Sequence, residues 1–332
     1  MTGISVIVCT YNPDKYIFEQ VLNAISNCDL PAGMEFECLL IDNNSPTPLI
    51  HQSYIGEILQ SIKGGRVVVE KEQGLTWARR RGIREASFSH LLFIDDDNEI
   101  DKDFIIQTQK LIGSHPEMAA FNAGTIRVKY IGEVDGWFNN KGKAHFQESN
   151  IPNTIIGRDN KSFSHWPFGT GLMVTREVCN YYVEKLDKGL YTLTDRNGKL
   201  LMSGGDGQLV ACAIEMGFSV GRAKELKLNH LIAARKTSLN YLTKIDYGIY
   251  FSGELFTKES LPGNLRTFSG LREFKMLFET FIVGGFKAFL KRDFRTYAIQ
   301  KACLIGRLNG NRQASGKKIS WLLNNLSKKY TT

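Results

Sequence analysis

The chain has 332 residues, of which 42% are hydrophobic and 23% are charged. This length fits one large α/β domain with a smaller appendage, and the composition excludes a chain that is disordered throughout. The net charge of +8 is unevenly placed, because residues 236–332 hold 17 basic and 6 acidic residues, whereas the first 235 hold 25 and 28. We therefore predict a near-neutral domain at 1–235 and a basic C-terminal region at 236–332.

The basic region can meet anionic lipid, an acidic acceptor or nucleic acid, or it can be a plain solvated surface. The N-terminal sequence lacks the features of a secretory signal, and no apolar run reaches the roughly 18 residues that cross a bilayer. The best candidate, 274–290, is interrupted by Lys275, Glu279 and Lys287. These features predict a cytoplasmic protein that can lie peripherally on the inner face of the cell membrane.

Short apolar, β-branched runs alternate with helical patterns in the first third of the chain. The predicted strands are 4–9, 38–41, 66–69 and 91–94, and the predicted helices are 14–27, 75–87 and 102–112. Continuous apolar runs are typical of strands buried on both faces. The alternation therefore predicts a doubly wound, mainly parallel α/β sheet.

The pattern is less regular beyond residue 112. It suggests two strand fragments at 119–121 and 125–128, and then a long loop at 131–165, of the kind that is usually functional or mobile. A helix is predicted near 176–186 and another over Leu209 to Ile214, and from about 236 the sequence becomes mainly helical.

Polar clusters stand just after the four predicted strands. They are Thr10-Tyr11-Asn12-Pro13, Asp42-Asn43-Asn44-Ser45, Gln73-Gly74 and Asp95-Asp96-Asp97. In open parallel sheets, ligands bind outside the carboxyl ends of the strands. The four clusters are therefore expected to converge on one crevice, although Asn-Pro and Asp-Asn-Asn-Ser are also ordinary turn formers.

The acidic run Asp95-Asp96-Asp97 needs a cation or positive partners unless it is exposed. Its carboxylates suit Mg²⁺ or Mn²⁺, which complete their coordination with phosphate and water. As a strand, the run would place Asp95 and Asp97 on one side and Asp96 on the other. The alternative is an exposed acidic turn or helix cap.

Two further groups can act on a nucleotide. Thr10, Tyr11 and Asn12 can stack on and hydrogen-bond a base and ribose, and Asp42 can accept a hydrogen bond from either. Arg79, followed by two more arginines, can pair with a diphosphate, or it can belong to a solvated helix face.

Asp206 and His230 are the remaining candidates. A carboxylate in the first turn of a helix is stabilised by the helix N-terminus and can act as a general base, although many such aspartates are only caps. His230 lies in an apolar stretch, where most histidines are structural, and it can ligate a metal only if the aspartates lie close to it in space.

Taken together, these sites resemble the large family-2 glycosyltransferases. The resemblance rests on VIVCTYNP at 6–13, LIDNNS at 40–45, Gln73-Gly74, Ala78-Arg79 with Gly82-Ile83, FIDDD at 93–97, GTGLMV at 169–174 and GGDGQL at 204–209. Their order and spacing match the family over roughly residues 4–232. Each piece is weak by itself, but seven in the right order are specific.

The resemblance implies a GT-A fold and an inverting, nucleotide-sugar-dependent glycosyltransferase of polysaccharide or cell-envelope biosynthesis. The implied donor is a nucleotide sugar, with a UDP-sugar favoured, and the acceptor is a glycan or lipid-linked glycan; no nucleic-acid partner is expected. The implied roles are nucleotide binding by Thr10, Tyr11, Asn12 and Asp42, donor contacts by Arg79, Asp95 and Asp96, Mn²⁺ or Mg²⁺ ligation by Asp97 and His230, and general base catalysis by Asp206.

The sequence departs from the family pattern in two places. Gly205 precedes Asp206 where a glutamate is usual, and the Gln-x-x-Arg-Trp motif of processive synthases is absent, which favours single addition over polymerisation. Two other functions stay open: a nucleotidyltransferase that makes nucleotide sugars, and a non-catalytic nucleotide-sugar- or glycan-binding protein. A Rossmann dehydrogenase is disfavoured because no GxGxxG follows the first strand.

Overall fold

The computed structural model describes residues 3–196 and 201–331. Its contacts divide the chain into two compact units. The first contains the residues up to Gly189 together with Asp206–Ala234, and the second contains Leu190–Gly205 and the chain from Arg235 onward. Residues 190–205 are thus grouped with the C-terminal region, whereas the predicted boundary at 235 placed them in the N-terminal domain.

The first unit is built on one mixed sheet. Its strands are β1 Ile4–Thr10, β2 Phe36–Asp42, β3 Gly65–Val69, β4 His90–Asp95, β5 Asn98–Ile100, β6 Met118–Ile131, β7 Ser149–Asn150, β8 Ile155–Gly157, β9 Leu172–Thr175 and β10 Ser219–Ala233. The main path runs β3-β2-β1-β4-β9-β6-β10-β5, with β7 beside β6 and β8 beside β10. The first four strands of this path are parallel to one another, and so are β6 and β10, whereas β9 is antiparallel to both of its neighbours.

The helices lie between and after these strands. They are α1 Lys15–Ser26, α2 Ser53–Gln60, α3 Leu75–Glu85, α4 Phe104–Ser114, α5 Gly136–Asn140, α6 Arg176–Asp187, α7 Gly205–Glu215, α8 Leu239–Ser260, α9 Gly270–Phe278, α10 Gly284–Lys291, α11 Phe294–Ala314 and α12 Trp321–Thr331. A π turn, Glu279–Val283, joins α9 to α10.

The burial pattern explains why these segments form these elements. β2 is buried at every position, as expected of a central strand covered on both faces. α1 buries Ile17, Val21, Leu22 and Ile25 on one stripe, and the Asp14 carboxylate caps it by accepting from the Ile17 N–H. α3 lies close to β1, since a Cβ at Gly82 would stand 2.5 Å from the Ile7 side chain.

The predicted α/β class with a mainly parallel sheet and C-terminal helices is confirmed. The four predicted strands are β1 to β4 and the three predicted helices are α1, α3 and α4, whereas α2 was not predicted. Two expectations beyond residue 112 were wrong. The fragments at 119–121 and 125–128 are parts of the single strand β6, and the expected loop 131–165 contains α5, a 3₁₀ turn at Gly142–Phe146 and the strands β7 and β8. These elements are too short to show a period.

The second unit is mainly helical, and its centre is the contact between α8 and α11. A Cβ at Gly306 would lie 2.3 Å from the carbonyl oxygen of Tyr247, and one at Gly310 would lie 2.2 Å from that of Phe251. The two helices therefore approach so closely that only glycine fits at these positions. Within residues 3–196 and 201–331, no helix is both long and apolar enough to cross a membrane.

Candidate active site

The carboxyl ends of the parallel strands bring the first polar clusters together. In the sheet register Thr10 is paired with Asp42, and Cys9 is paired with Asp95. Chain segments that are far apart in sequence thus end side by side at one edge of the sheet. The predicted convergence of these clusters follows directly from parallel pairing.

Asp42 is buried, with 1% of its surface exposed. Its Oδ1 accepts from the Ser45 N–H and its Oδ2 accepts from the Leu49 N–H, both at 2.9 Å. The carboxylate therefore shapes the loop that follows β2. Asn43 extends this support, because its side chain accepts from the Gly74 N–H at 2.7 Å and donates to the Glu72 carbonyl oxygen at 2.6 Å.

The turn after β1 is exposed to solvent. Asn12 has a left-handed backbone with φ 48°, which asparagine tolerates better than most residues, and its N–H donates to the Ser45 hydroxyl at 2.9 Å. The Tyr11 side chain is 51% exposed. The Thr10 hydroxyl donates to the Asp96 carboxylate, which ties the end of β1 to the acidic run.

The acidic run is a tight turn rather than a strand. β4 ends at Asp95 and β5 begins at Asn98, so the expected alternation of Asp95 and Asp97 against Asp96 was wrong. Asn98 is fully buried and organises the turn, since its Nδ2 donates to Asp97 Oδ1 at 3.1 Å and its Oδ1 faces the Asp95 N–H at 3.4 Å.

His230 lies beside Asp97 even though the two residues are far apart in sequence. β10 runs next to β5, the Leu231 N–H donates to the Asp97 carbonyl oxygen at 2.8 Å, and His230 Nε2 lies 3.3 Å from Asp97 Oδ1. His230 Nδ1 lies 2.9 Å from the Phe146 carbonyl oxygen. A carbonyl oxygen only accepts, so Nδ1 carries a proton. Nε2 donates to Asp97 when the ring is protonated and offers a lone pair when the ring is neutral.

The spacing of this pair is compatible with a shared metal ion as well as with an ion pair. Ligands at neighbouring corners of an octahedron with bonds of about 2.1 Å lie about 3 Å apart, close to the observed spacing. A histidine that donates its other N–H to a backbone carbonyl is the usual arrangement of a metal-bound imidazole. In the described part of the chain no three His, Cys, Asp or Glu residues group as metal ligands. Any ion held here would therefore take most of its ligands from phosphate and water.

Arg79 is the arginine that turns inward from α3. It is 7% exposed, whereas Arg80 pairs with Asp187 at 2.7 Å and Arg81 pairs with Glu85 at 2.9 Å. Burial raises the pKa of the neighbouring Cys9 thiol to about 12, and the charge of Arg79 opposes that rise. Asp95 and Asp96 also act on the same thiol, so Arg79 and the acidic run share one neighbourhood.

Asp206 lies in the first turn of α7, against the backbone of Gly169. A Cβ at Gly169 would stand 2.9 Å from Asp206 Oδ2, so the glycine leaves the space that this carboxylate occupies. The next residue, Thr170, donates its hydroxyl to the Gln147 side chain. Gln147 follows Phe146, whose carbonyl oxygen holds His230. A short path of contacts thus joins Asp206 to the Asp97–His230 pair.

The aromatic residues Trp137, Trp166 and Phe168 differ in burial and in contacts. Trp166 is 6% exposed and donates its indole N–H to the Asp159 carbonyl oxygen, so it belongs to the interior. Phe168 packs against the sheet core and under the Arg222 guanidinium, 4.5 Å from its ring centre. Trp137 is half-buried and stacks on His145.

Sequence reasoning missed Asn98, Phe146 and Gln147. Asn98 directly follows the three aspartates, and its position was the one available signal. Phe146 acts through its backbone, which no residue type reveals. Gln147 adopts φ 62°, a conformation rarely predicted for glutamine.

A mainly parallel α/β sheet that gathers an exposed turn, an acidic turn and a histidine at one edge has a GT-A-like fold. The model of the family described as "Glycosyl transferase family 2" matches residues 5–182, more than half of the chain. The chain belongs to this family, and it is a nucleotide-sugar-dependent glycosyltransferase. This assignment selects the first of the three functions that the sequence left open.

Solved structures of TarS from S. aureus have a similar fold. The TarS chain matches with a TM-score of 0.50 and 17% identity over 98% of this chain and 50% of that chain, so the present chain spans half of the length of that chain. Its segment 1-349 matches with a TM-score of 0.49 and 15% identity, over 99% of this chain and 88% of that chain. The same segment in complex with UDP-GlcNAc matches with a TM-score of 0.48 and 13% identity, over 96% and 93%. At these identities the likeness concerns the fold.

Proposed function

We propose that this enzyme transfers one sugar from a nucleoside diphosphate donor, first a UDP-sugar, to a hydroxyl of a glycan or lipid-linked glycan, with inversion at the anomeric carbon. The pathway would be polysaccharide assembly for the cell envelope. One observation carries the proposal: the contact path through Phe146, Gln147 and Thr170 that joins the Asp97–His230 pair to Asp206. This contact path supports binding of the donor and of the acceptor at the same edge of the sheet.

The donor side is the turn after β1 with the loop that Asp42 shapes. The exposed Tyr11 ring offers a face for a base, and Asn12 stands beside it with its backbone fixed by Ser45. Both oxygens of the buried Asp42 carboxylate accept from backbone N–H groups, so we assign Asp42 to holding the loop that would line the nucleotide. Arg79 and Asp96 would lie beside the donor, next to this nucleotide-binding turn.

Mn²⁺ or Mg²⁺ is the proposed cofactor, and Asp97 and His230 would hold it. When bound, the ion supplies positive charge beside the diphosphate, where negative charge grows as the sugar leaves. The Phe146 carbonyl fixes the ring of His230, and Asn98 fixes the Asp97 carboxylate, so both candidate ligands are oriented by neighbours.

Asp206 is the proposed general base. Its carboxylate takes the proton of the acceptor hydroxyl, the freed oxygen forms a bond to the anomeric carbon, and the bond from that carbon to the diphosphate oxygen breaks. Attack from the face opposite the leaving group inverts the configuration. Gly169 leaves the space that the Asp206 carboxylate occupies, because a Cβ there would lie 2.9 Å from Asp206 Oδ2.

Calorimetric titration with UDP, TDP, GDP and CDP, each with Mn²⁺ and then with EDTA, tests the donor site. We expect one nucleotide to bind clearly and EDTA to remove that binding. Persistent binding in EDTA would contradict the metal role of Asp97 and His230, and no binding of any nucleotide would contradict the donor site.

The variant Asp206→Asn tests the base. General base catalysis contributes about 10²–10⁴-fold, so turnover should fall by that factor while nucleotide affinity stays near the wild-type value. Asp29→Asn is the matched control, since Asp29 is an exposed carboxylate paired with Lys102 at 3.3 Å. Transfer by Asp206→Asn at the wild-type rate would refute the assignment.

A further inference from the structure

The second unit exposes a row of large apolar side chains along α9, the π turn and α10. Seven of them are at least half exposed, and we call this row the apolar face: Leu271, Phe274, Phe278, Ile282, Phe286, Phe289 and Leu290. Leu271, at 80%, and Phe289, at 68%, are among the most exposed. Apolar side chains scattered singly are normal on a surface, but a contiguous row of this length marks an interaction site.

The opposite side of the same helical segment is already used. Met276 and Leu277 pack against the cluster of Phe268, Leu304 and Leu308, and Phe281 packs against the cluster around Tyr247. The segment is therefore apolar on two sides. One side builds the core of the unit, so the apolar face is not required for folding and needs a different partner.

The π turn keeps the apolar face in line. From Phe274 to Phe286 the exposed residues are spaced four apart, and each such step overshoots a 3.6-residue turn by about 40°. A π turn inserts one extra residue into the helix, so it reduces this accumulated rotation by roughly the rotation of one residue. The face would otherwise wind away from a flat surface, and here it stays on one side for the whole segment.

The charge around this face is positive. Residues 270–295 contain six basic and three acidic residues. Glu273 is buried against Arg312 at 2.6 Å, and Asp293 caps α11 by accepting from the Thr296 N–H. Two of the three carboxylates are thus engaged within the unit. The third, Glu279, lies 3.8 Å from Lys275.

We propose that the apolar face is a membrane-binding surface for a bilayer that contains anionic lipid. The phenylalanines would enter the boundary between head groups and acyl chains, and Lys287, Lys291 and Arg292 would meet the lipid phosphates. A second copy of the chain is the alternative occupant, and the experiments below separate it from a lipid surface. The surface would hold the enzyme where a lipid-linked acceptor is presented.

Co-sedimentation with vesicles tests this proposal on the 332-residue chain. The vesicles are phosphatidylcholine alone, or phosphatidylcholine mixed equally with phosphatidylglycerol. We expect stronger sedimentation with the anionic vesicles, and a loss of at least about tenfold in partitioning for the double variant Phe274→Glu, Phe286→Glu. Ile50→Glu is the control, since Ile50 is 67% exposed and belongs to the first unit. It should bind as the wild type does.

A second double variant, Lys287→Gln with Lys291→Gln, separates charge from apolar contact. It should reduce the preference for anionic vesicles while keeping the weaker binding to neutral ones. No sedimentation with either vesicle would overturn the proposal. So would a dimer in analytical ultracentrifugation that Phe274→Glu abolishes while vesicle binding persists. Vesicle binding requires no nucleotide, so this result and the donor-site result are independent.

Discussion

Gly169→Ala is the sharpest test of the active-site geometry. The new Cβ would lie 2.9 Å from Asp206 Oδ2 and 3.2 Å from the Asp206 Cβ. Ordinary contacts begin near 3.5 Å, so the carboxylate must move by roughly half an ångström. A displacement of about 1 Å costs on the order of 10²-fold in rate, which makes the expected loss about tenfold, or about 1.4 kcal/mol of activation free energy.

The assay is release of nucleoside diphosphate from the bound donor, with nucleotide affinity measured alongside. We expect turnover to fall and affinity to stay constant, because the perturbed carboxylate lies on the acceptor side. Gly56→Ala is the control: beyond its chain neighbours and its own helix backbone, no heavy atom lies within 4 Å of the new Cβ, and alanine is the better helix former by about 1 kcal/mol. The reasoning is refuted if Gly169→Ala turns over normally, or if it lowers turnover equally when Asp206 is already asparagine.

Three further predictions concern the metal pair, the sheet and the second unit. His230→Gln should weaken nucleotide binding by at least about tenfold with Mn²⁺ and leave any binding in EDTA unchanged, measured by calorimetry. Burial opposes ionisation of Glu37, but hydrogen bonds from Ser5, Ser87 and Arg66 prevail and lower its pKa in the folded state. A carboxylate whose pKa is lowered in the folded state stabilises the fold above its unfolded pKa, and this stabilisation is lost as the pH falls through the folded pKa. Glu37→Gln should therefore lower the free energy of unfolding in urea at pH 7 by about 2 kcal/mol, and the difference from wild type should shrink as the pH falls below the ordinary carboxyl range. Gly306→Ala should lower the melting temperature, because its Cβ would lie 2.3 Å from the Tyr247 carbonyl oxygen. Gly253→Ala in α8 should not, because its Cβ would have no atom within 4 Å beyond its chain neighbours and its own helix backbone.

The sheet could be predicted because its strands carry a local signal. β1, β2 and β4 are buried along nearly their whole length, and this makes them continuous apolar runs in the sequence. Parallel pairing then places the following residues at one edge without further information. Thr10, Asp42 and Asp95 were brought together by this rule alone.

The remaining parts of the site depend on contacts that leave no local trace. β10 carries His230 to Asp97 through its pairing with β5, and a histidine in an apolar stretch looks the same whether or not that pairing exists. We expected Asp42 to contact the ligand directly. The structure shows that two backbone N–H groups already donate to its carboxylate, which the residue type alone does not reveal.

The segment around Phe146 and Gln147, which the sequence pattern predicted least well, connects the two parts of the candidate site. Phe146 and Gln147 are adjacent, yet the first holds the imidazole of His230 and the second holds Thr170, next to the glycine that makes room for Asp206. A shift of this short segment would therefore act on the candidate metal ligand and on the candidate base together. In the proposed reaction both must be in place at once, because charge grows on the diphosphate while the acceptor loses its proton. A connection through two consecutive residues is the shortest way for one chain to position both.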